Sequence, residues 1–364
     1  MSLITTRSLY KIYKQKQALK DINIDVQKGE IFILIGPTGA GKTTLLRLLD
    51  ILDMPTAGEI YFDGINVTQS KKVSLEIRRR MAFVLQKPAV FNMSVYENMA
   101  CGLKWRGTTG KQMRREVDNA LEMVDLTEYK TRNARTLSGG EAQRVAIARA
   151  MITEPEVLLM DEPTANLDPI STSKIEGLIS RIIHQYNTTI VMSTHDMSQG
   201  QRLANKIAVL INGEAFQVGD VKQIFNQPQT KEVAEFVGID NIIDGVIVSH
   251  EDNLVTIDAG GQFIEAISNH NLGQKVYACI RPEEVILTLS QISSSARNRF
   301  RGKIVQIVSE GLFSYVSIDC GFPLTALITN RSAGELSLKR GKEVYASFKA
   351  TGIHVVGREI GREM

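Results

Sequence analysis

Gly36-Pro37-Thr38-Gly39-Ala40-Gly41-Lys42-Thr43-Thr44 follows the apolar run Ile31–Ile35 and precedes Leu45-Leu46-Arg47-Leu48-Leu49. Strand, glycine loop and helix in this order form a phosphate cradle. Glycines let backbone N–H groups turn inward and approach a polyphosphate, because no Cβ stands between them. A helix starting near Gly41 adds the partial positive charge of its N-terminus. Lys42 is placed to reach β- and γ-phosphates, and the Thr43 hydroxyl to complete a Mg²⁺ shell. This stretch predicts a nucleotide site and, with it, an α/β fold.

Outward from the loop, the rest of residues 1–235 has the same grammar. Ala82–Leu85, Val157–Met160 and Thr189–Met192 read as strands, and Ile175, Leu178, Ile179, Ile182 and Ile183 as the core face of a helix. Lys111 to Tyr129 reads as one amphipathic helix. Continuous apolar strands alternating with helices predict a largely parallel sheet covered on both faces. Asp161-Glu162 closes the run Val157–Met160. Two acids after a strand are ordinary surface residues by themselves. Beside a phosphate loop, Asp161 is placed to hold the Mg²⁺ hydration shell and Glu162 to deprotonate an attacking water. Ser138-Gly139-Gly140-Glu141 opens a second helix: Ser138 is a good N-cap, and the glycines expose the helix end to an anion. Two such helix ends in one chain make sense if the second faces the nucleotide of another subunit.

The composition excludes other classes. The net charge of +3 is too small to argue for nucleic acid, and the runs Lys71-Lys72 and Arg78-Arg79-Arg80 read as solvated faces. Three scattered cysteines, Cys101, Cys279 and Cys320, fit neither a disulfide framework nor a metal knuckle, which predicts a reducing compartment. The N-terminus does not read as a secretory signal, and no apolar run spans a bilayer. Any membrane role is borrowed from a partner chain.

Beyond residue 235 the helical period gives way to short strands. Asn241-x3-Gly245 lines up with Asn298-x3-Gly302, Val255–Asp258 with Val316–Asp319, and Gly273–Arg281 with Gly341–Lys349. The preserved order predicts a duplicated small β-barrel, with halves 236–291 and 295–364 and a joint at Ser293–Ser295.

The phosphate loop, Gln86, Leu137–Gln143, Asp161-Glu162, Asn166-Leu167-Asp168 and His195 in Ser-Thr-His-Asp stand in the order of one family. Residues 1–235 resemble the nucleotide-binding subunit of an ABC transporter. The resemblance implies ATP and Mg²⁺ as cofactors and assigns the remaining roles. Tyr13 matches the aromatic that stacks on adenine, and Gln86 the residue that senses γ-phosphate and Mg²⁺. Ser138 to Glu141 match the signature contacting the partner's nucleotide, Asp168 the acid at the dimer interface, and His195 the switch histidine. Taken alone, His195 is more often a satisfied structural histidine. The signature carries Glu141 where many members have Gln. The resemblance further implies a homodimer of ATPase subunits, two transmembrane permease subunits docked near residues 86–105, and an indirect solute-binding protein. It implies a peripheral place on the cytoplasmic face of the membrane. Phe91–Val95 and Trp105 lie in the docking region, where ordinary packing explains them equally.

Residues 236–364 resemble the β-barrel module appended to importer ATPases, and the last half is similar to the molybdate- and tungstate-binding barrels of molbindins. Ser295, Arg297, Ser332 and Lys349 suit a tetrahedral oxyanion, because short hydroxyls and charge-assisted donors replace its water shell. The first half carries Arg281-Pro282-Glu283-Glu284 where the second has Lys349-Ala350-Thr351-Gly352. The expectation is the ATPase subunit of a molybdate or tungstate importer, with the anion as regulatory ligand. The alternatives are an importer of sulfate, sugar or polyamine with a structural β module, or a soluble ATPase acting on nucleic acid or ribosomes.

Overall fold

A six-stranded sheet carries the phosphate loop. Its spatial order is Glu214–Gly219, Lys206–Ile211, Ile31–Ile35, Thr189–Thr194, Val157–Asp161 and Met81–Val84. Every neighbouring pair is parallel except the antiparallel edge strand Glu214–Gly219. All residues of Ile31–Ile35, Val157–Asp161 and Thr189–Thr194 are buried. Both faces are therefore covered, and each fully buried Ile or Leu contributes about 1.5–3 kcal/mol. The computed structural model describes residues 2–69 and 71–358, with the side chains of Lys71 and Lys72 outside that description. The expected Lys71-Lys72 face thus falls outside the described residues.

A second, antiparallel sheet joins Lys16–Ile22, Ser2–Tyr13, Ala57–Phe62 and Ile65–Asn66, with Asp25–Gln27 also paired to Ser2–Tyr13. It shares one core with the parallel sheet: Leu9 and Phe62 pack in the same cluster as Phe32, Leu34, Leu45 and Leu48. Arg80 corrects the expectation of a solvated basic run. Its guanidinium makes a two-pronged ion pair with Glu156, at 2.6 and 2.7 Å, and lies 4.6 Å over the Phe62 ring. It ties the sheet strand after it to the antiparallel layer. The amphipathic helix expected to reach Tyr129 runs Gly110–Met123. Asp125 takes a left-handed conformation (φ 55), and only a single tight turn follows at Thr127–Tyr129.

The chain divides into two compact units, residues 1–221 and 222–364, so the short helix Lys231–Phe236 belongs with the second. The second unit holds two five-stranded antiparallel sheets. One orders Phe263–Ile267, Leu254–Asp258, Asn241–Glu251, Lys275–Ile280 and Ile353–Gly357; the other Ile286–Thr288, Glu343–Phe348, Asn298–Glu310, Phe313–Asp319 and Pro323–Thr329. The duplication appears in the register: Gly245 pairs Val276 as Gly302 pairs Val344, and Val246 pairs Asp258 as Lys303 pairs Asp319. A Cβ at Gly245 would stand 2.8 Å from Asp258 O, and one at Gly302 2.8 Å from Asp319 O. Only glycine lets the strands cross so closely.

The halves are not self-contained, contrary to the expected division at 291/295. Ile353–Gly357, from the second repeat, pairs with Lys275–Ile280 of the first, and Ile286–Thr288, from the first, pairs with Glu343–Phe348 of the second. The exchange covers a free sheet edge in each barrel. Buried asparagines lock it reciprocally. Asn241 Nδ2 donates to Thr325 O and its Oδ1 accepts from Thr325 N; Asn298 does the same with Glu265 O and N. One apolar core, from Ile243 to Val355, runs through both.

Candidate functional site

The parallel register brings the chemistry-bearing segments to one edge. Ile35 pairs Thr194, Asp161 pairs Ser193 and Val84 pairs Met160. The loop after Ile35, the acids after Met160, His195 and Gln86 therefore all emerge at the carboxyl ends of adjacent strands, where open α/β sheets bind ligands. The loop needs its glycines for room: a Cβ at Gly36 would meet Leu210 O at 2.1 Å, and one at Gly41 (φ +102) would meet Ala18 O at 2.8 Å. Gly41 caps the helix Lys42–Leu49 without a side-chain bond, which leaves the first helical N–H groups facing the loop.

Lys42 is buried, and its Nζ donates to Gly36 O (2.7 Å) and Pro37 O (3.1 Å), 3.8 Å from Glu162 Oε1. Burial pulls its ammonium below the ordinary lysine range, with Glu162 and Asp161 acting in the opposite sense. Thr43 Oγ1 donates to Asp161 Oδ1 at 3.0 Å, and Ser193 Oγ to the same oxygen at 2.7 Å. A hydroxyl and a carboxylate in contact are the hard oxygen donors that suit Mg²⁺. Among the described residues, no cluster of three or more His, Cys, Asp or Glu forms a protein-only metal cage.

Glu162 adopts a left-handed backbone (φ 43), held by its N–H donating to Ser193 O and Oγ. Its carboxylate is met from two sides: Gln86 Nε2 donates to Oε2 at 3.2 Å, and His195 Nδ1 lies 3.1 Å from the same atom. The structure thus brings together Lys42, Thr43, Gln86, Asp161, Glu162 and His195. Tyr13 is half-exposed at the end of its strand. Its hydroxyl donates to Asp53 Oδ2 at 2.5 Å, and Lys11 Nζ sits 4.7 Å over its ring.

The signature helix runs Gly139–Met151, and Ser138 caps it as expected. Glu141 completes a capping box, its carboxylate accepting from Ser138 N at 2.8 Å. That bond holds the Glu141 carboxyl below the usual carboxylate range. Gly140 has a packing role that sequence reasoning missed: a Cβ there would lie 2.7 Å from Ser171 Cβ. Asp168 caps the helix Pro169–Tyr186 by accepting from Ser171 N at 2.9 Å. The Asp-Pro pair that opens this helix was a readable cap signal.

In the segment expected to dock, Val95 is core, Ser94 caps the helix Val95–Trp105, and Asn92 Oδ1 accepts from Asn133. Trp105 is 80% exposed beside a groove that Leu85, Arg79, Arg106 and Arg149 also line. The four oxyanion candidates are not one cluster. Arg297 and Lys349 flank the paired residues Asn298 and Phe348, with Ser295 exposed nearby in sequence. Ser332 follows the strand ending at Thr329, which lies beside Phe313, at the far end of Asn298–Glu310. Arg297 is ion-paired with Glu265 at 2.9 Å, and Ser332 Oγ lies 2.8 Å from Thr329 Oγ1. Among the described residues, no hydrogen bond joins Ser332 to the other three.

A phosphate loop, strand-end acids and a second glycine-led helix on one such sheet define an ATP-binding cassette. The ABC transporter family pattern matches residues 19–165, and that of the TOBE domain residues 294–355. The chain is 37% identical over 355 residues to the molybdate/tungstate import ATP-binding protein WtpC of Pyrococcus horikoshii, covering 97% of this chain and 99% of the relative. It is 35% identical over 285 residues to the spermidine/putrescine import ATP-binding protein PotA of Clostridium novyi, covering 78% of this chain and 80% of the relative. Among solved structures, cbiO1 from Clostridium perfringens matches with a TM-score of 0.59 and 31% identity, covering 66% of this chain and 95% of that one. A dimeric post-hydrolysis state of the cassette MJ0796 bound to ADP and Pi matches at 0.56 and 30%, covering 60% and 98%. The chain belongs to the ABC transporter family, as an ATP-hydrolysing import subunit.

Proposed function

We propose that this ATPase drives import of molybdate or tungstate. The observation that carries the proposal is the 37% identity to the Pyrococcus horikoshii protein, which extends through both units. In this reading two copies sandwich ATP between the phosphate loop of one and Ser138 to Glu141 of the other. Dimeric cassettes among the solved relatives support it. Tyr13 stacks on adenine, and Lys42 and the loop N–H groups carry the phosphate charge. Thr43, Asp161 and Gln86 would hold Mg²⁺, which would supply charge neutralisation for the phosphates. Glu162 takes the proton as a water oxygen bonds to the γ-phosphorus and the bond to the bridging oxygen of ADP breaks. Gln86 and His195, both against Glu162 Oε2, orient it.

No helix among the described residues is long and apolar enough to cross a membrane. As the ATPase subunit of an importer, the chain sits peripherally on the cytoplasmic face, against two permease chains fed by an external solute-binding protein. The groove at Trp105 and Leu85 is the docking face: it carries Arg79, Arg106 and Arg149, and among the described residues no carboxylate lines it. In the C-terminal unit, Arg297, Lys349 and Ser295 bind the imported anion and restrain hydrolysis, with Ser332 in a separate part of the barrel.

Identity to a spermidine/putrescine relative favours a second reading, a polyamine as solute. Uptake of labelled molybdate, tungstate and spermidine into cells with and without the gene separates the two. Loss of oxyanion uptake with spermidine uptake intact is expected; the converse overturns the proposal. Calorimetric titration of the full chain with tungstate tests the regulatory site, with heat expected from the parent and lost in Lys349→Ala. Heat unchanged in that variant removes Lys349 from the site.

A further inference from the structure

Gln199 is fully buried, four residues after His195, in the short helix Met197–Leu203 that Asp196 caps. Its amide faces two other segments. Nε2 donates to Thr164 Oγ1 at 2.9 Å while Oε1 lies 3.2 Å from the same hydroxyl, so the pair is held at both amide atoms. Nε2 also donates to Glu176 Oε1 at 3.1 Å, and Glu176 is gripped by Arg202 at 2.7 and 3.2 Å. Thr164 lies two residues beyond Glu162 in the loop that leads to Asp168. Glu176 belongs to the helix that Asp168 caps. A leucine would fill this volume without needing partners. A buried amide costs free energy unless every bond is met, and in return it fixes direction.

We infer that Gln199 is a positioning residue for ATP hydrolysis, setting the loop that carries Glu162 and Asp168 against the segment that carries His195. The inference rests on the assignment of Glu162 and His195 to the reacting phosphate. The 3.1 Å separation of His195 Nδ1 and Glu162 Oε2 spans two segments; Ser193 ties them at Glu162 N itself, and the Gln199–Thr164 pair adds a part-buried side-chain tie one helical turn beyond His195. A misplacement of about 1 Å at such a centre costs up to about 100-fold in rate.

The test measures steady-state ATP hydrolysis and thermal unfolding of the full chain as Gln199→Leu, Thr164→Val, the double variant and Glu162→Gln. Gln199→Leu and Thr164→Val are each expected to lower kcat about tenfold, roughly 1.4 kcal/mol of barrier, with KM for ATP within about twofold of the parent. The double variant is expected to be no slower than the slower single one, because both remove the same tie. Unchanged kcat with a lowered Tm, or effects that multiply in the double variant, overturns the inference. Should Gln199→Leu fail to fold, Thr164→Val decides alone by the same criterion. Undiminished hydrolysis in Glu162→Gln removes the site assignment itself; slow hydrolysis there with normal turnover in Gln199→Leu removes only the role of Gln199.

Discussion

Replacing Gly140 with alanine adds one methyl group against Ser171 of the helix Pro169–Tyr186. That carbon would lie 2.5 Å from Ser171 Oγ and 2.7 Å from Ser171 Cβ. Rotating the hydroxyl relieves the first contact but not the second, so the helix starting at Pro169 must shift by several tenths of an ångström. Overpacking of this kind costs about 1–3 kcal/mol. Alanine returns up to about 1 kcal/mol through helix propensity. Taking the middle of both ranges, the net loss is about 1–2 kcal/mol, a fall of roughly 2–8 °C in the Tm of a unit this size. The displacement also moves Asp168, whose carboxylate is tied to Ser171 N. ATP turnover in Gly140→Ala should fall with the Tm. Adding Ser171→Gly removes both clashing atoms and should restore most of the Tm. Thermal unfolding and steady-state turnover of the two variants check this. An unchanged or raised Tm in Gly140→Ala would refute the reasoning.

Asp50, at the end of the phosphate-loop helix, is buried, and burial pushes its carboxyl up to about 7, only partly opposed by Arg78. Between pH about 4 and about 7 the folded chain keeps a proton that the unfolded chain has released, so stability falls as pH rises through that window. Asp50→Asn should therefore raise the Tm at pH 8 by an amount worth up to about 4 kcal/mol, and leave it unchanged near pH 4; thermal scans across this range measure it. Asn298→Ala strips Glu265 of two bonds in a buried setting and should destabilise the C-terminal unit by about 1–3 kcal/mol. Urea unfolding should show the loss there while ATP turnover is kept, and Asn241→Ala should match it.

The legible parts were the local ones. Gly36 to Thr44 carries its strand, loop and helix within twenty residues, and Ser138 with Glu141 spells a capping box in four. The duplication was legible because Asn241 and Gly245 recur as Asn298 and Gly302. The exchange of strands was not, because both repeats carry the same alternating pattern and nothing local says which edge Ile353–Gly357 will meet. The tie between Gln199 and Thr164 spans 35 positions, and its members look like ordinary polar residues. Arg297 and Lys349 flank one end of a paired register, as the aligned repeats implied. Ser332 lies apart, because the length of Asn298–Glu310 separates it from them.

Glu162→Gln is the most direct test of the central claim. The amide keeps the shape and the contacts to Gln86 and His195 but cannot take a proton from water. The account predicts a fall in kcat of about 10²–10⁴-fold, with ATP binding, followed by a fluorescent analogue, held near the parent value. Turnover close to that of the parent would contradict it and move the general base elsewhere.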